Sequence, residues 1–236
     1  MKLIVTGATG FVASEVVRQA LSRPEITSVV ALSRTPLSLG KLPDDADSSK
    51  LKHVKIQDYG KYPDDIKKEL AGADACIWTV GVVPNKAARM DWNTVRAICH
   101  ESPLRFLEAM ETVEKAKPFR FLYMSGALGE RDQTKKPWMM PEYAHLRGET
   151  ETAVLKVGAE HPGSLEVGVI KPGLITYPGG WLKQVASAAV RTIAPVVSVT
   201  EVAAAMLEEA VHGLEKETLE NADLVRIGQK ALAKAT

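Results

Sequence analysis

The residues TGATGFVA at 6–13, set between the run KLIVT and the helical pattern FVASEVVRQALS, constrain this chain more than any other stretch. A β-branched apolar run, a glycine turn and an amphipathic helix in that order open a βαβ unit whose turn faces an anion. Gly7 permits a backbone conformation closed to residues with a Cβ, and Gly10 lets the main chain approach a pyrophosphate. Ala13 stands where the packing of helix on strand needs a small side chain. The helix beginning near Phe11 presents unpaired N–H groups and a partial positive charge to the same space. Thr9, Phe11 and Val12 complete the expected phosphate-binding turn.

Similar runs recur along the chain at 2–7, 28–33, 52–56, 75–80, 120–125, 166–172 and 223–228, which predicts about seven strands. Several are apolar at consecutive positions, so both faces of the sheet are expected to be covered, as in a parallel sheet between two helix layers. Helical patterns at 11–22, 64–70, 91–115, 142–158 and 201–213 alternate with them, with Thr200 as the expected N-cap of the last. The pattern predicts an α/β chain with a doubly wound, Rossmann-type parallel sheet and a small substrate-side region near its C-terminus. At 236 residues the chain suits a single domain spanning 1–236. Stretches around 126–142 and 176–198 carry apolar bulk between prolines and glycines and are expected to cover a site.

The tip of the second strand discriminates between cofactors. An acidic residue there would hydrogen-bond an adenosine 2′-hydroxyl, but the chain has Ser33 and Arg34. A guanidinium fork suits a 2′-phosphate, so NADP(H) is expected over NAD(H). Asp58, just past the third strand, reads either as an acceptor for the adenine amino group or as an ordinary loop aspartate.

Lysine and arginine total 30 against 29 acidic residues, so no basic field is available to attract nucleic acid or anionic lipid. No segment reaches the roughly 18 uninterrupted apolar residues of a membrane span, and the first residues are too short an apolar run for a secretory leader. A cytoplasmic protein with a small-molecule partner, monomeric or homodimeric, is expected. Cys76 and Cys99 lack CxxC spacing and read as packing residues, and the scattered histidines lack metal-ligand spacing, so no metal is expected.

TGATGFVA, LSR at 32–34, TVG at 79–81, YMSG at 123–126, YAHLRGETE at 143–151 and KPGLI at 171–175 occur in the order seen in one superfamily. The chain resembles the atypical and extended short-chain dehydrogenase/reductases, especially the short epimerase-like NAD(P)-binding members. The resemblance implies that Ser125 and Tyr143 take the family's catalytic serine and tyrosine positions, with Arg147 where the family has lysine. It also implies that Thr79, Val80 and Gly81 lie along the cofactor ribose, that Tyr143 and Arg147 touch the cofactor, and that Pro172, Gly173, Leu174 and Ile175 pass the nicotinamide.

The pair Tyr143 and Arg147 also has a reading of its own. Four residues apart on a predicted helix, they share a face, and a cation so placed favours phenolate, lowering a pKa of about 10. Tyr143 would donate a proton to a carbonyl oxygen and Ser125 would hydrogen-bond that oxygen. Trp138, Met139, Tyr177 and Trp181 read as an apolar substrate wall, although both tryptophans would serve equally well in packing their loops. Three functions fit: an NADPH-dependent oxidoreductase acting on a small hydrophobic carbonyl compound, an epimerase or isomerase that retains its dinucleotide, and a non-catalytic NADP(H) sensor.

Overall fold

The computed structural model of the chain describes residues 1–177 and 195–234. Seven parallel strands stand in the order β3-β2-β1-β4-β5-β6-β9: β1 (Lys2–Thr6), β2 (Ser28–Ser33), β3 (Leu51–Lys55), β4 (Ala73–Trp78), β5 (Lys115–Met124), β6 (Leu165–Lys171) and β9 (Thr218–Glu220). A separate parallel pair joins β7 (Leu174–Thr176) to β8 (Val196–Ser198). The strand order reverses between β1 and β4, and the crevice at the carboxyl ends of those two strands is where such sheets hold ligands.

Eight helices flank the sheet among the described residues: α1 (Phe11–Ser22), α2 (Asp64–Leu70), α3 (Pro84–Ala87), α4 (Trp92–Arg96), α5 (Ser102–Glu111), α6 (Pro141–Glu160), α7 (Val199–His212) and α8 (Asn221–Lys234). One core layer packs α1, α7 and α8 on the sheet, and the other packs α2, α5 and α6 on its opposite face. The consecutive apolar runs are explained by this arrangement, because Leu3, Ile4 and Val5 point alternately into the two layers and all three are fully buried. In the second layer Trp78, at the end of β4, meets Tyr59, Phe106 and Phe121 with ring centroids 5.8, 5.4 and 6.1 Å away. Of this aromatic block, Tyr59 reaches the lining of the crevice.

Three sequence expectations are corrected. Residues 223–228 are not a strand but part of α8: Leu224, Ile227 and Ala231 recur at helical spacing and are buried, and the seventh strand is the shorter Thr218–Glu220. The expected helix over 91–115 ends at Glu111 and is interrupted by a π-helical turn at Ala97–Glu101. Pro103 has no N–H for the carbonyl of Cys99 four residues earlier, and the Tyr123 hydroxyl donates to that carbonyl instead, at 3.3 Å. The N-cap of α7 is Ser198 rather than Thr200, with Glu201 closing a reciprocal capping box.

The stretch 126–142 is fastened to α6. Glu130 N–H donates to the Ala144 carbonyl at 3.0 Å, and a Cβ on Gly148 would lie 1.8 Å from the Glu130 oxygen, so the crossing needs glycine. Trp181 and most of 176–198 lie outside the described residues.

Candidate functional site

A cleft of about 810 Å³ opens at the crevice, lined by the glycine turn, the tips of β2, β3 and β4, and residues of α3, the π turn and α5. Of the residues singled out from sequence, Gly7, Thr9, Gly10, Arg34, Asp58, Thr79, Val80 and Gly81 line it together. Gly7 adopts φ +68°, and a Cβ there would lie 2.9 Å from the Thr79 hydroxyl. The turn therefore needs glycine for its conformation and for its closeness to β4.

Helix α1 has no side-chain cap and no acidic residue in its first turn. Its leading N–H groups remain available to an anion in the cleft. The Gly7 amide is not among the available donors. It donates to the Tyr59 hydroxyl at 3.0 Å, which donates in turn to the Leu32 carbonyl at 2.9 Å, and burial pushes this hydroxyl up to about 12. Tyr59 thereby ties the glycine turn to the tip of β2. Its neighbour in the chain is Asp58, the residue singled out from sequence at this strand tip.

Ser33 lies behind the cleft lining. Its hydroxyl donates to the Thr35 carbonyl at 2.5 Å and meets a His53 ring nitrogen at 2.7 Å, which leaves Arg34 as the cleft-facing residue of the pair. Lys86 and Arg105 also line the cleft, and with Arg34 they give three cations against Asp58 and Glu101. The sequence held a signal for the far wall. Ala97, Ile98, Glu101, Ser102 and Arg105 follow helical spacing around Pro103, a breaker inside a helical pattern.

Of the candidate catalytic residues, Tyr143 and Arg147 sit on α6 and Ser125 directly follows β5. The Tyr143 hydroxyl donates to the carbonyl of Val82, a cleft-lining residue, at 2.7 Å, while the Val82 amide donates to Cys99 Sγ at 3.3 Å. The expected lowering of the Tyr143 pKa is not what results. Burial raises it, Arg147 opposes that only in part, and the phenol stays protonated.

Arg147 is 3% exposed. Its Nη2 donates to the carbonyls of Met124 and Ser125 at 2.7 and 2.9 Å, and its charge lies 5.0 Å from the Tyr123 ring centroid. Among the described residues Nε and Nη1 have no hydrogen-bond partner, and a Cβ on Gly81 would stand 3.4 Å from Nη1. Burial works against the charge, but the surrounding acidic groups, Glu151 among them, outweigh it and the guanidinium stays protonated.

Ser125 donates to Glu151 at 2.6 Å, and this fully buried carboxylate also receives Arg131 at 2.8 Å and Lys171 at 3.1 Å. This network closes the end of β5 against α6 and β6.

The remaining residues are more scattered. Phe11 and Val12 begin α1, Val12 buried in the core and Phe11 half exposed with its ring 4.6 Å from that of Tyr177. The structure thus brings a residue expected at the cofactor against one expected at the substrate. Pro172 and Gly173 connect β6 to β7, and the tightness at Gly173 is toward the Pro195 carbonyl, 1.9 Å from where a Cβ would stand. Leu174 and Ile175 form β7, with the Leu174 amide already given to Pro195. Met139 is exposed, and Trp138 is 87% exposed, so its indole lines no formed wall. Among the described residues no cluster of histidine, cysteine, aspartate or glutamate has the arrangement of a metal site, and no helix is long and apolar enough to cross a membrane.

An uncapped helix start, a glycine cradle, a cation at the tip of β2 and a buried guanidinium with unused donors together fit a dinucleotide. Residues 7–212 match the family described as NAD(P)H-binding. The chain belongs to that family. It is 28% identical over 172 residues to the mitochondrial protein FMP52 of Candida albicans, a match spanning 72% of this chain and 67% of that one. Among solved structures it is similar to vestitone reductase from alfalfa (TM-score 0.66, 20% identity, 93% of this chain and 76% of that one). It is also similar to the PhqB reductase domain of Penicillium fellutanum (TM-score 0.68, 19% identity, 94% and 67%). A third likeness is to the UDP-glucose 4-epimerase of Thermus thermophilus in complex with NAD (TM-score 0.64, 16% identity, 100% and 83%). These likenesses show the fold, that of NAD(P)-binding oxidoreductase- and epimerase-like proteins.

Proposed function

We propose that the protein is an NADPH-dependent oxidoreductase that reduces a carbonyl or conjugated carbonyl of a small, hydrophobic substrate. The observation that carries this reading is Tyr143, a phenol held protonated by burial, one helical turn from a buried cation and bonded to a residue of the cleft wall. NADPH, when bound, supplies the hydride. Tyr143 supplies the proton that makes the product alcohol, a carbonyl oxygen taking the donor bond now given to Val82. Arg34 supports the choice of NADPH, since its fork faces the cleft at the tip of β2. The apolar side chains of Val82, Met90 and Ile98 in the cleft lining support an apolar substrate, and two of the structural neighbours are reductases by name.

Titration with NADPH and NADH, then NADPH oxidation followed by absorbance over a panel of aromatic and aliphatic ketones, tests the reading. Tyr143→Phe is expected to lower turnover by about a hundredfold or more and leave NADPH affinity nearly unchanged. Undiminished turnover in that variant would remove Tyr143 from the chemistry.

One observation favours a second reading, a dinucleotide-binding protein without turnover. A hydroxyl has a single proton, and Ser125 gives its own to Glu151, so it has none for a substrate oxygen. Tight NADPH binding without consumption across the panel would select this reading. Turnover of a sugar substrate with no net change in cofactor would select an epimerase.

A further inference from the structure

Arg147 is a buried charge with no salt-bridge partner among the described residues. Among the described residues no carboxylate forms an ion pair with it, and Glu151, one turn further along α6, is already engaged by Ser125, Arg131 and Lys171. Two backbone carbonyls and one aromatic face are its partners, and Nε and Nη1 stay without any. A guanidinium so placed repels further positive charge strongly, because little water is present to screen it.

The position of this charge along the cleft gives it a specific consequence. Each half of a doubly wound sheet of this strand order takes one nucleotide, and Arg34, at the tip of β2, belongs to the adenosine half. Arg147 bonds to the carbonyls that end β5, and its Nη1 faces the Gly81 floor beyond β4, so it belongs to the other half. The two redox states of a nicotinamide differ there by one unit of charge: the oxidised ring is a cation and the reduced ring is neutral.

We propose that Arg147 makes the cleft selective for redox state, so that it binds NADPH in preference to NADP⁺. The proposal rests on the dinucleotide reading of the cleft and adds to it a named residue and a direction. The fixed charge, buried just behind the cleft floor at Gly81, penalises the oxidised ring and leaves the neutral ring unpenalised. One charge pair a few ångströms apart in a partly screened site corresponds to a preference of roughly 10- to 100-fold. A tenfold preference raises the potential of the bound couple by about 30 mV and speeds release of the oxidised form. Cofactor occupancy would then follow the ratio of reduced to oxidised nucleotide as well as their total.

The test is calorimetric titration of the whole chain with NADPH, NADP⁺ and adenosine 2′,5′-bisphosphate, the last probing the adenosine half alone. The wild-type chain is expected to bind NADPH at least tenfold more tightly than NADP⁺. Arg147→Met should bring the two within about threefold, Arg147→Lys should restore most of the preference, and adenosine 2′,5′-bisphosphate should bind all three alike. Equal affinities for NADPH and NADP⁺ in the wild-type chain, or a preference unaltered in Arg147→Met, would overturn the proposal while leaving the dinucleotide site standing. Absence of binding by every nucleotide would overturn the site itself. Should Arg147→Met lose adenosine 2′,5′-bisphosphate as well, the wild-type and Arg147→Lys preferences decide alone.

Discussion

Replacing Gly148 with alanine tests how the stretch 126–142 is held, and the sign of the effect is informative. In an exposed helix the change would stabilise by about 1 kcal/mol through helix propensity. Here the added Cβ would meet the Glu130 oxygen at 1.8 Å, its carbonyl carbon at 2.1 Å and the Arg131 nitrogen at 2.6 Å, all backbone atoms that cannot swing aside. The strand of loop must lift from α6. Lifting breaks the Glu130–Ala144 bond, about 1 kcal/mol, and loosens the Arg131 and Lys171 bonds around Glu151 and Gly129, at about 1.5–3 kcal/mol for a charge-assisted bond. Counting one charge-assisted bond lost and setting the propensity gain against the sum, the net loss is about 1.5–3 kcal/mol, or roughly 3–12 °C in Tm for a chain of this size. Near-ultraviolet circular dichroism would follow the thermal transition, and limited trypsin digestion would report release at Arg131, Lys135 and Lys136. A raised Tm with no faster cleavage would refute the packing described.

Other perturbations probe separate parts of the fold. Arg34→Asp should weaken NADPH binding by tenfold or more, about 1.4 kcal/mol, and spare NADH; equal wild-type affinities for the two cofactors would show that Arg34 does not read the 2′-phosphate. Ser198→Ala removes the α7 capping box and is expected to cost about 1 kcal/mol and 2–4 °C, measured by thermal melting. Stability should also fall in alkali. Burial raises Tyr59 to about 12 and raises Tyr62, Tyr123 and Cys76 too. These groups keep their protons when folded and lose them when unfolded, so their contribution is complete below the unfolded values. It drains by about 1.4 kcal/mol per pH unit per group as pH climbs past about 9 for Cys76 and about 10 for the tyrosines toward the folded values. Urea denaturation at a series of alkaline pH values would check this, and a flat profile would contradict it.

The layered fold was legible because burial on two faces leaves a direct mark: runs such as SVVALS hold no polar alternation, and 28–33 is β2 residue for residue. The last strand was not legible, since three residues, TLE, carry too little pattern, while DLVRIG is short enough to fit either period. The glycine turn and Arg34 were readable from local chemistry. Tyr59 and the engagement of Ser125 by Glu151 were not, because each is a tertiary bond across 52 or 26 residues with no local spacing rule. The Tyr143 pKa failed for a related reason: the helical spacing reveals the nearby cation, but the desolvation that outweighs it comes from the surrounding Val82, Cys99 and Val95.

The outermost rung β9 pairs with β6 at only three positions and runs directly into α8, whose Gly228 lets it settle on the backbone of α7 at Glu201. A chain cut before Thr218 would thus lose the guard on Val169–Lys171 and present an open edge of unpaired backbone groups to any neighbour. Self-association of such fragments is the failure to expect, and a fused reporter at the carboxyl end belongs beyond Lys234, on a spacer that leaves this guard in place.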